Sequence, residues 1–475
     1  MTAATWQHAP LTWDEESDVV VVGSGFAGLA AAIEARNAGC SVVVLEKMKG
    51  YGGNSLLSAG FVAAAGTALQ KKSGIPDSAQ LMFNDMLKSG LGLNHPELVR
   101  TLTEQSAEML DWTIDVVGVR YVDRIDQYGG HSVPRSYLPH NLSGSGIVKP
   151  LLSKVASMGV PIRTCHFVQQ LCKDEDRRVC GVRVLKGYRF PAGDSGRLIS
   201  IKANKGVVLA AGGFGADTAF RSLQNPRFNQ TVESTNKYST TADSLKQALH
   251  IGAMPVQLSW IQLAPWTTPD EKAYGIGADF AEIAVSPYGV LVNPATGQRF
   301  ISELADRRLQ ADAIINIGHP CIGIVDEKGA MASGIDYTRC VKRGIVKTFF
   351  NIKAIAENYR MPVDALTDTI RAFNRFIVRG KGDLLGKPML SKARPIEHPP
   401  YYGIRLWPKV HYTMGGILIN TKAQVMDLNR QPIAGFYAAG EITGGIHGAC
   451  RLATCAITDC LVYGRIAGKN AAANS

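Results

Sequence analysis

Asp18-Val19-Val20-Val21-Val22-Gly23-Ser24-Gly25-Phe26-Ala27-Gly28 opens a run that closes on Glu46, and its reading decides the fold. Four consecutive valines describe a strand buried on both faces, as in a parallel sheet. The alanine-rich Leu29 to Ala38 reads as a helix, and Ser41-Val42-Val43-Val44-Leu45 as a second strand ending on an acid. Gly23 allows a tight turn out of the first strand. Gly25 lets the backbone approach a pyrophosphate held at the helix N-terminus, and Gly28 lets helix and strand pack closely. Glu46 follows Gly28 by 18 residues, where a carboxylate takes the ribose hydroxyls of an adenosine. A glycine triplet alone also fits an ordinary strand-to-helix turn. With both strands and the acid present it reads as a dinucleotide site, with Ala27 and Lys47 beside it.

Outward from this run the chain keeps returning to small residues. Gly50-Tyr51-Gly52-Gly53-Asn54-Ser55, followed by Leu56 to Ala59 and Gly60, suits a loop passing under a flat ligand, where bulky side chains would collide. Gly53, Asn54, Ser55, Ala59 and Gly60 are therefore candidate contacts. Residues 78–117 read as two amphipathic helices. The loop 128–146 carries His131, Arg135 and His140, all expected at the surface. A helix over 147–159 precedes strands at 161–172, 178–186 and 198–203. Gly206 to Gly215 then reads as a separate buried strand whose glycine turn brings Ala211, Gly212 and Gly213 close to the ligand. Between residues 260 and 410 the rhythm changes to short strands and helices, with a helix over 362–379. From His411 the cofactor-type pattern resumes: Gly435 to Ala439 is a strand reaching Gly440 and Glu441, and Ala456 and Ile457 open a last helix of small residues. The fold class is α/β: a discontinuous, Rossmann-like dinucleotide-binding domain (1–259 and 411–475) with an inserted α+β capping domain (260–410).

Composition narrows the function further. Of 475 residues, 46% are hydrophobic and 19% charged, as in a water-soluble globular protein. The longest apolar runs fall far short of the ~20 residues of a membrane helix, so no membrane span is expected. No secretory leader stands between Met1 and Asp18, which points to the cytoplasm, or to the periplasm if a leader was removed. The net charge of +11 is scattered, without the dense basic stripe of a nucleic-acid binder. It suits solubility, or the steering of anionic substrates or an acidic electron-transfer partner. Nine cysteines form no zinc, haem or iron–sulfur pattern, so free, mostly buried thiols and no metal are expected.

Taken together, the glycine fingerprint, Gly52-Gly53-Asn54-Ser55, Gly206 to Gly215, Arg299 to Arg307, His411 to Gly416 and Gly435 to Leu452 resemble the fumarate reductase and succinate dehydrogenase flavoprotein family, especially its soluble branch. The resemblance runs nearly end to end and implies FAD as the dinucleotide. Asn54 stands where membrane-bound members carry a flavin-linking histidine, so the resemblance implies non-covalent FAD. It places Glu441 at the flavin's ribityl side, with Gly212, Gly213 and Gly440 along its path. It implies that His411 and Arg451 clamp a substrate carboxylate, that Arg307 donates the proton, with Arg308 as its adjacent alternative, and that Glu282 belongs to the proton relay. Without the resemblance, Arg307 reads as a surface partner of Asp306 or Glu303.

Where the family holds a second carboxylate with a histidine and a threonine, this chain has Ala264 and Ala281; where the relay has an arginine, it has Val285. A buried carboxylate without donors costs several kcal/mol, which turns the expected substrate from fumarate toward a small α,β-unsaturated monocarboxylate of the acrylate, methacrylate or cinnamate type. Trp260, Trp266, Tyr274 and Phe280 serve either an apolar distal pocket or the core. Fumarate reduction, 3-ketosteroid dehydrogenation and a non-catalytic electron-transfer role are the alternatives. The electron donor is expected to be a separate cytochrome or a reduced flavin.

Overall fold

The computed structural model describes residues 8–193, 195–381, 383–390 and 393–474. The first seven residues of the stretch read for a leader lie outside them. The chain forms two compact units. One runs to Gln230 and takes in Asn236–Ile261 and the chain from Tyr412; the other comprises Thr231–Thr235 and Gln262–His411. The sequence reading assigned 231–235, 260–261 and His411 differently.

The first unit is built on the opening motif. The strand β1 (Glu15–Val22), the helix α1 (Phe26–Asn37) and the strand β2 (Val42–Leu45) follow one another with β1 and β2 parallel and in register, Val19 opposite Val42. The helix starts three residues earlier than its alanine run suggests, with Gly25 as the residue before its first turn. The strands β3 (Ile162–Arg163), β4 (His166–Lys173), β5 (Val179–Lys186), β6 (Arg197–Leu209), β7 (Gln424–Met426) and β8 (Pro432–Ala438) complete an eight-stranded sheet. Its parallel centre is β8-β6-β1-β2-β3, and β4 and β5 extend it as an antiparallel hairpin off β6. The two strands expected at 198–203 and after 206 are one strand, β6, because its first half pairs with β5 and its second lies between β1 and β8.

Against α1 lies the last helix, α2 (Cys455–Ala473). Gly464 and Gly468 make this possible: a Cβ at either would come within 2.5 and 2.2 Å of the Ala27 and Ala31 carbonyl oxygens. The two helices expected over 78–117 are three, Ala79–Ser89, Pro96–Glu104 and Ser106–Asp115. The break follows Glu104, where the Ser106 hydroxyl turns back to the Thr103 carbonyl at 2.8 Å and accepts from the Ala65 amide.

Two residues expected at the surface are buried. Arg135 has no exposed surface; its guanidinium meets Asp77 at 2.8 Å and Asp85 at 2.6 Å. His131 lies beside it, 3.3 Å from Arg135 and 2.6 Å from the Ala453 carbonyl, and burial with the Arg135 charge pushes its pKa down to about 3. The paired charge explains the burial: an arginine leaves water only when its donors are met.

The second unit is an antiparallel sheet in the order Gln298–Arg299, Val290–Asn293, Cys321–Asp326, Tyr401–Leu406, Val346–Phe349. Strand alternation gives it two cores. Ile322 and Ile324 face a cluster completed by Ile370 and Phe373 of the helix Val363–Arg379; Cys321 and Val325 face one containing Trp266 and Phe280. Core packing is thus the role of those two aromatics. Among the described residues no helix is long and apolar enough to cross a membrane.

Candidate functional site

In the first unit the carboxyl ends of the parallel strands open on a cleft of about 350 Å3. Gly23, Gly25, Ala27, Glu46, Lys47, Gly53, Asn54, Ser55, Ala211, Gly212, Gly440 and Glu441 line it, twelve of the expected cofactor residues. The turn can exist only without side chains. At Gly23 (φ +108°) a Cβ would lie 2.3 Å from the Ala210 carbonyl oxygen, and at Gly28 2.0 Å from that of Gly23. Gly28 therefore acts by packing, behind the cleft.

The first turn of α1 lines the cleft with Phe26 and Ala27, the Phe26 amide donating to the Ser55 hydroxyl at 3.1 Å, and an anion there gains from the helix dipole. Glu46 is buried and oriented: its carboxylate accepts from the Ser24 hydroxyl at 2.6 Å and the Met48 amide at 2.9 Å. Asn54 is held by Asn236 and Lys237 at 3.0 and 2.9 Å. Lys47 reaches Thr241 at 2.7 Å, and burial holds its pKa down. Glu441 accepts from the Thr413 amide and hydroxyl at 3.0 and 3.3 Å, and burial raises its pKa to about 7.

Five expected residues sit behind the wall or beside it. Gly213 supports Glu441, whose Oε1 would lie 2.5 Å from an added Cβ; Gly60 packs on Pro139 and Ser143; Ala59 follows the loop turn; Ala456 and Ile457 open α2. The cleft also uses the polar run Lys237 to Thr241 and the start of β4, His166 to Val168, which the motif reading missed. An adenosine-to-flavin group fits this cradle: bare backbone at the turn, helix amides for phosphates, an oriented acid for a ribose.

The second unit gathers the expected acid–base residues. Arg307 opens the helix Arg307–Asn316, behind the cap Asp306, and is 9% exposed. It pairs with buried Glu282, while Asp306 is spent on the Leu309 amide and Glu303 on Arg299 and Lys387. The surface pairing expected from sequence is thereby excluded. A cation in a first helical turn opposes the dipole, so the Glu282 carboxylate is what holds Arg307 there. Arg308 instead meets Asp312 at 3.6 Å near the surface. Tyr274 donates to the other Glu282 oxygen at 3.0 Å. The His411 ring lies 5.8 Å from that of Tyr274, with Nδ1 2.8 Å from the Thr235 hydroxyl. Glu282 sits in a π-helical turn, Ala281–Val285, a distortion frequent at functional sites. Ala264, Ala281 and Val285 are buried.

Arg451 belongs to the first unit, 4% exposed, its guanidinium 4.8 Å from the centre of the Tyr412 ring. Tyr412 and His411 are neighbours in one strand and so project to opposite sides. The Tyr412 hydroxyl reaches Asp459 at 3.5 Å, which also meets His447 at 3.2 Å. The sequence reading did not single out Tyr412. The nine thiols are free, seven of them buried.

Comparison with known proteins agrees with this architecture. Residues 18–457 match the FAD binding domain family. The acrylate reductase flavoprotein subunit of Shewanella woodyi is 38% identical over 464 residues, 96% of this chain and 91% of that protein. The urocanate reductase of Eggerthella lenta is 34% identical over 476 residues, 98% of this chain and 76% of the relative. Among solved structures, the open conformation of a flavocytochrome c3 fumarate reductase superposes with a TM-score of 0.75 at 32% identity, covering 97% of this chain and 79% of that one. The 3-ketosteroid-delta4-(5alpha)-dehydrogenase of Rhodococcus jostii RHA1 gives 0.76 at 25% identity, over 98% and 99%. With a glycine cradle that fits its cofactor and a family match spanning most of its length, the chain belongs to the FAD-dependent oxidoreductases of the fumarate reductase flavoprotein family.

Proposed function

We propose that this protein reduces the carbon–carbon double bond of a small α,β-unsaturated monocarboxylate, with Arg307 as proton donor. The observation that carries this is the buried Arg307–Glu282 pair, a permanently protonated group kept out of water beside a carboxylate that can resupply it. When bound, FAD supplies the hydride to the β-carbon. Negative charge then builds on the α-carbon and the carboxylate. Arg451 answers it with bidentate donors, and His411 contributes a further donor, as the family resemblance implies. Arg307 delivers its proton to the α-carbon; a carbanion is a stronger base than a guanidine, so the transfer runs downhill although a guanidinium is a very weak acid.

Ala264 and Ala281 offer no donor to a second carboxylate, which favours acrylate-type acids over fumarate. The relative named as an acrylate reductase supports the same choice. The FAD is held without a covalent bond, with Asn54 at the loop position in question. Electrons come from a separate cytochrome or a reduced flavin, and the cytoplasm is the proposed compartment. The test is an anaerobic panel with reduced methyl viologen. Acrylate, methacrylate or cinnamate should turn over faster than fumarate, and a keto-steroid with an acceptor dye should give nothing. Faster fumarate turnover overturns the substrate reading, and steroid turnover overturns the reaction class.

A further inference from the structure

The proton that Arg307 gives away has to be replaced, and the arginine expected in that path is Val285, a buried alkyl side chain that carries none. We propose that Asp279 and Tyr274 complete, through Glu282, a proton-delivery chain to Arg307: Asp279 takes the proton from solvent and passes it inward, while Tyr274 is a positioning residue that fixes the Glu282 carboxylate. The inference rests on the ene-acid reading of the preceding section.

The geometry lies within one unit. Glu282 is 5% exposed and uses one oxygen for Arg307 and the other for the Tyr274 hydroxyl at 3.0 Å. It therefore has a single fixed orientation, with Arg307 at one end. Asp279 stands three residues earlier, in the α-helical turn Gly277–Phe280 that runs directly into the π-turn holding Glu282, and lies near enough to feel the Glu282 charge. Asp279 is partly exposed where Glu282 is not, so it is the member of the pair that meets water.

Its surroundings bring its titration close to neutral pH. Burial, then the charges of Glu282 and Glu271, raise Asp279 to about 7. Glu271 is itself held by the Gly277 amide at 2.8 Å and by Arg343 at 3.3 Å. Cys340, whose thiol is pushed up to about 11, also faces these acids and is no donor at neutral pH. Burial and the neighbouring Glu282 hold the Tyr274 hydroxyl well above its ordinary value, so it stays a hydrogen-bond donor and not a source of protons.

The steps balance. An Arg307 N–H bond breaks as the α-carbon C–H bond forms. The neutral guanidine recovers a proton from the Glu282 carboxyl, which has received one from Asp279, and Asp279 recovers its own from water. One proton enters by this chain per turnover, and the second hydrogen of the product arrives as the hydride, its proton taken up from solvent together with the donor's two electrons.

The experiment uses holoenzyme with reduced methyl viologen and acrylate, measuring kcat, KM, the pH profile and the solvent isotope effect. In the wild type kcat should fall above about pH 7, as Asp279 loses its proton. Asp279→Asn should lower kcat roughly 10- to 100-fold, abolish that limb and raise the solvent isotope effect, with KM and FAD content unchanged. Asp279→Glu should restore most of the rate and the limb, a rescue a purely structural role would not give. Tyr274→Phe should cost several-fold in kcat and keep the limb. If Asp279→Asn keeps the wild-type kcat and pH profile, the delivery chain is wrong while the ene-acid reading stands. Wild-type protein that holds FAD yet reduces no unsaturated acid overturns that reading, and this inference with it.

Discussion

The FAD cleft and the Arg307 cluster are built from opposite materials. The cleft is made by the backbone: glycines at the turn, helix amides for anions, and an acid whose two oxygens are oriented by Ser24 and Met48. The Arg307 cluster is made by side chains alone, a guanidinium, a carboxylate and a phenol in series. A site of the first kind tolerates change in what points away from the ligand and none in what occupies the turn. A site of the second kind fails with the loss of one functional group, while its fold persists. The lesson is that binding and chemistry should be separable by mutation.

Arg307→Ala should show that separation at its strongest. Turnover of acrylate should fall at least ~10^3-fold, within the range of a lost general acid, with the flavin spectrum and FAD stoichiometry intact. Loss of FAD in that variant would break the comparison. Gly23→Ala should do the reverse. A Cβ against the Ala210 carbonyl, in a backbone at φ +108°, forces β1 and β6 apart, so the purified protein should carry little FAD and be inactive for that reason. Acid treatment of the wild type should release its FAD into solution.

A smaller effect concerns Glu441. Its folded pKa is raised from 4.5 to about 7 by burial, so the folded protein keeps a proton that the unfolded chain gives up. That contribution is fully present below about pH 4.5 and is lost as pH rises to 7. Thermal melts of FAD-free protein between pH 5 and 8 should show the decline, and Glu441→Gln should flatten it by about a few degrees.

The cleft was largely legible in the sequence because its determinants are local: strand, turn, helix and acid all fall between Asp18 and Glu46. The Arg307 pair was legible only through the family resemblance, which named both residues, and not from the local sequence. Arg307 and Glu282 are separated by two strands and the turn between them, and Asp306 and Glu303 stood closer in sequence as partners. Arg135 misled for the same reason, since Asp77 and Asp85 lie 58 and 50 residues away. Tyr412 was passed over beside His411 because a strand sends neighbours to opposite sides, and only the register says which one meets Arg451. The cleft residues at 237–241 carry no motif and were found only by the fold.

The packing of α2 on α1 has a consequence for how the chain is made. Gly464 and Gly468 lie against Ala27 and Ala31, so the back of the helix that carries the phosphate-binding turn is covered by residues made more than four hundred positions later. At roughly 5–20 residues per second of synthesis, that helix waits on the order of tens of seconds for its cover. The nascent chain therefore carries an exposed strip of alanines until that last helix is made, and an FAD-binding site competent to hold its ligand waits on the synthesis of residues far from its own motif.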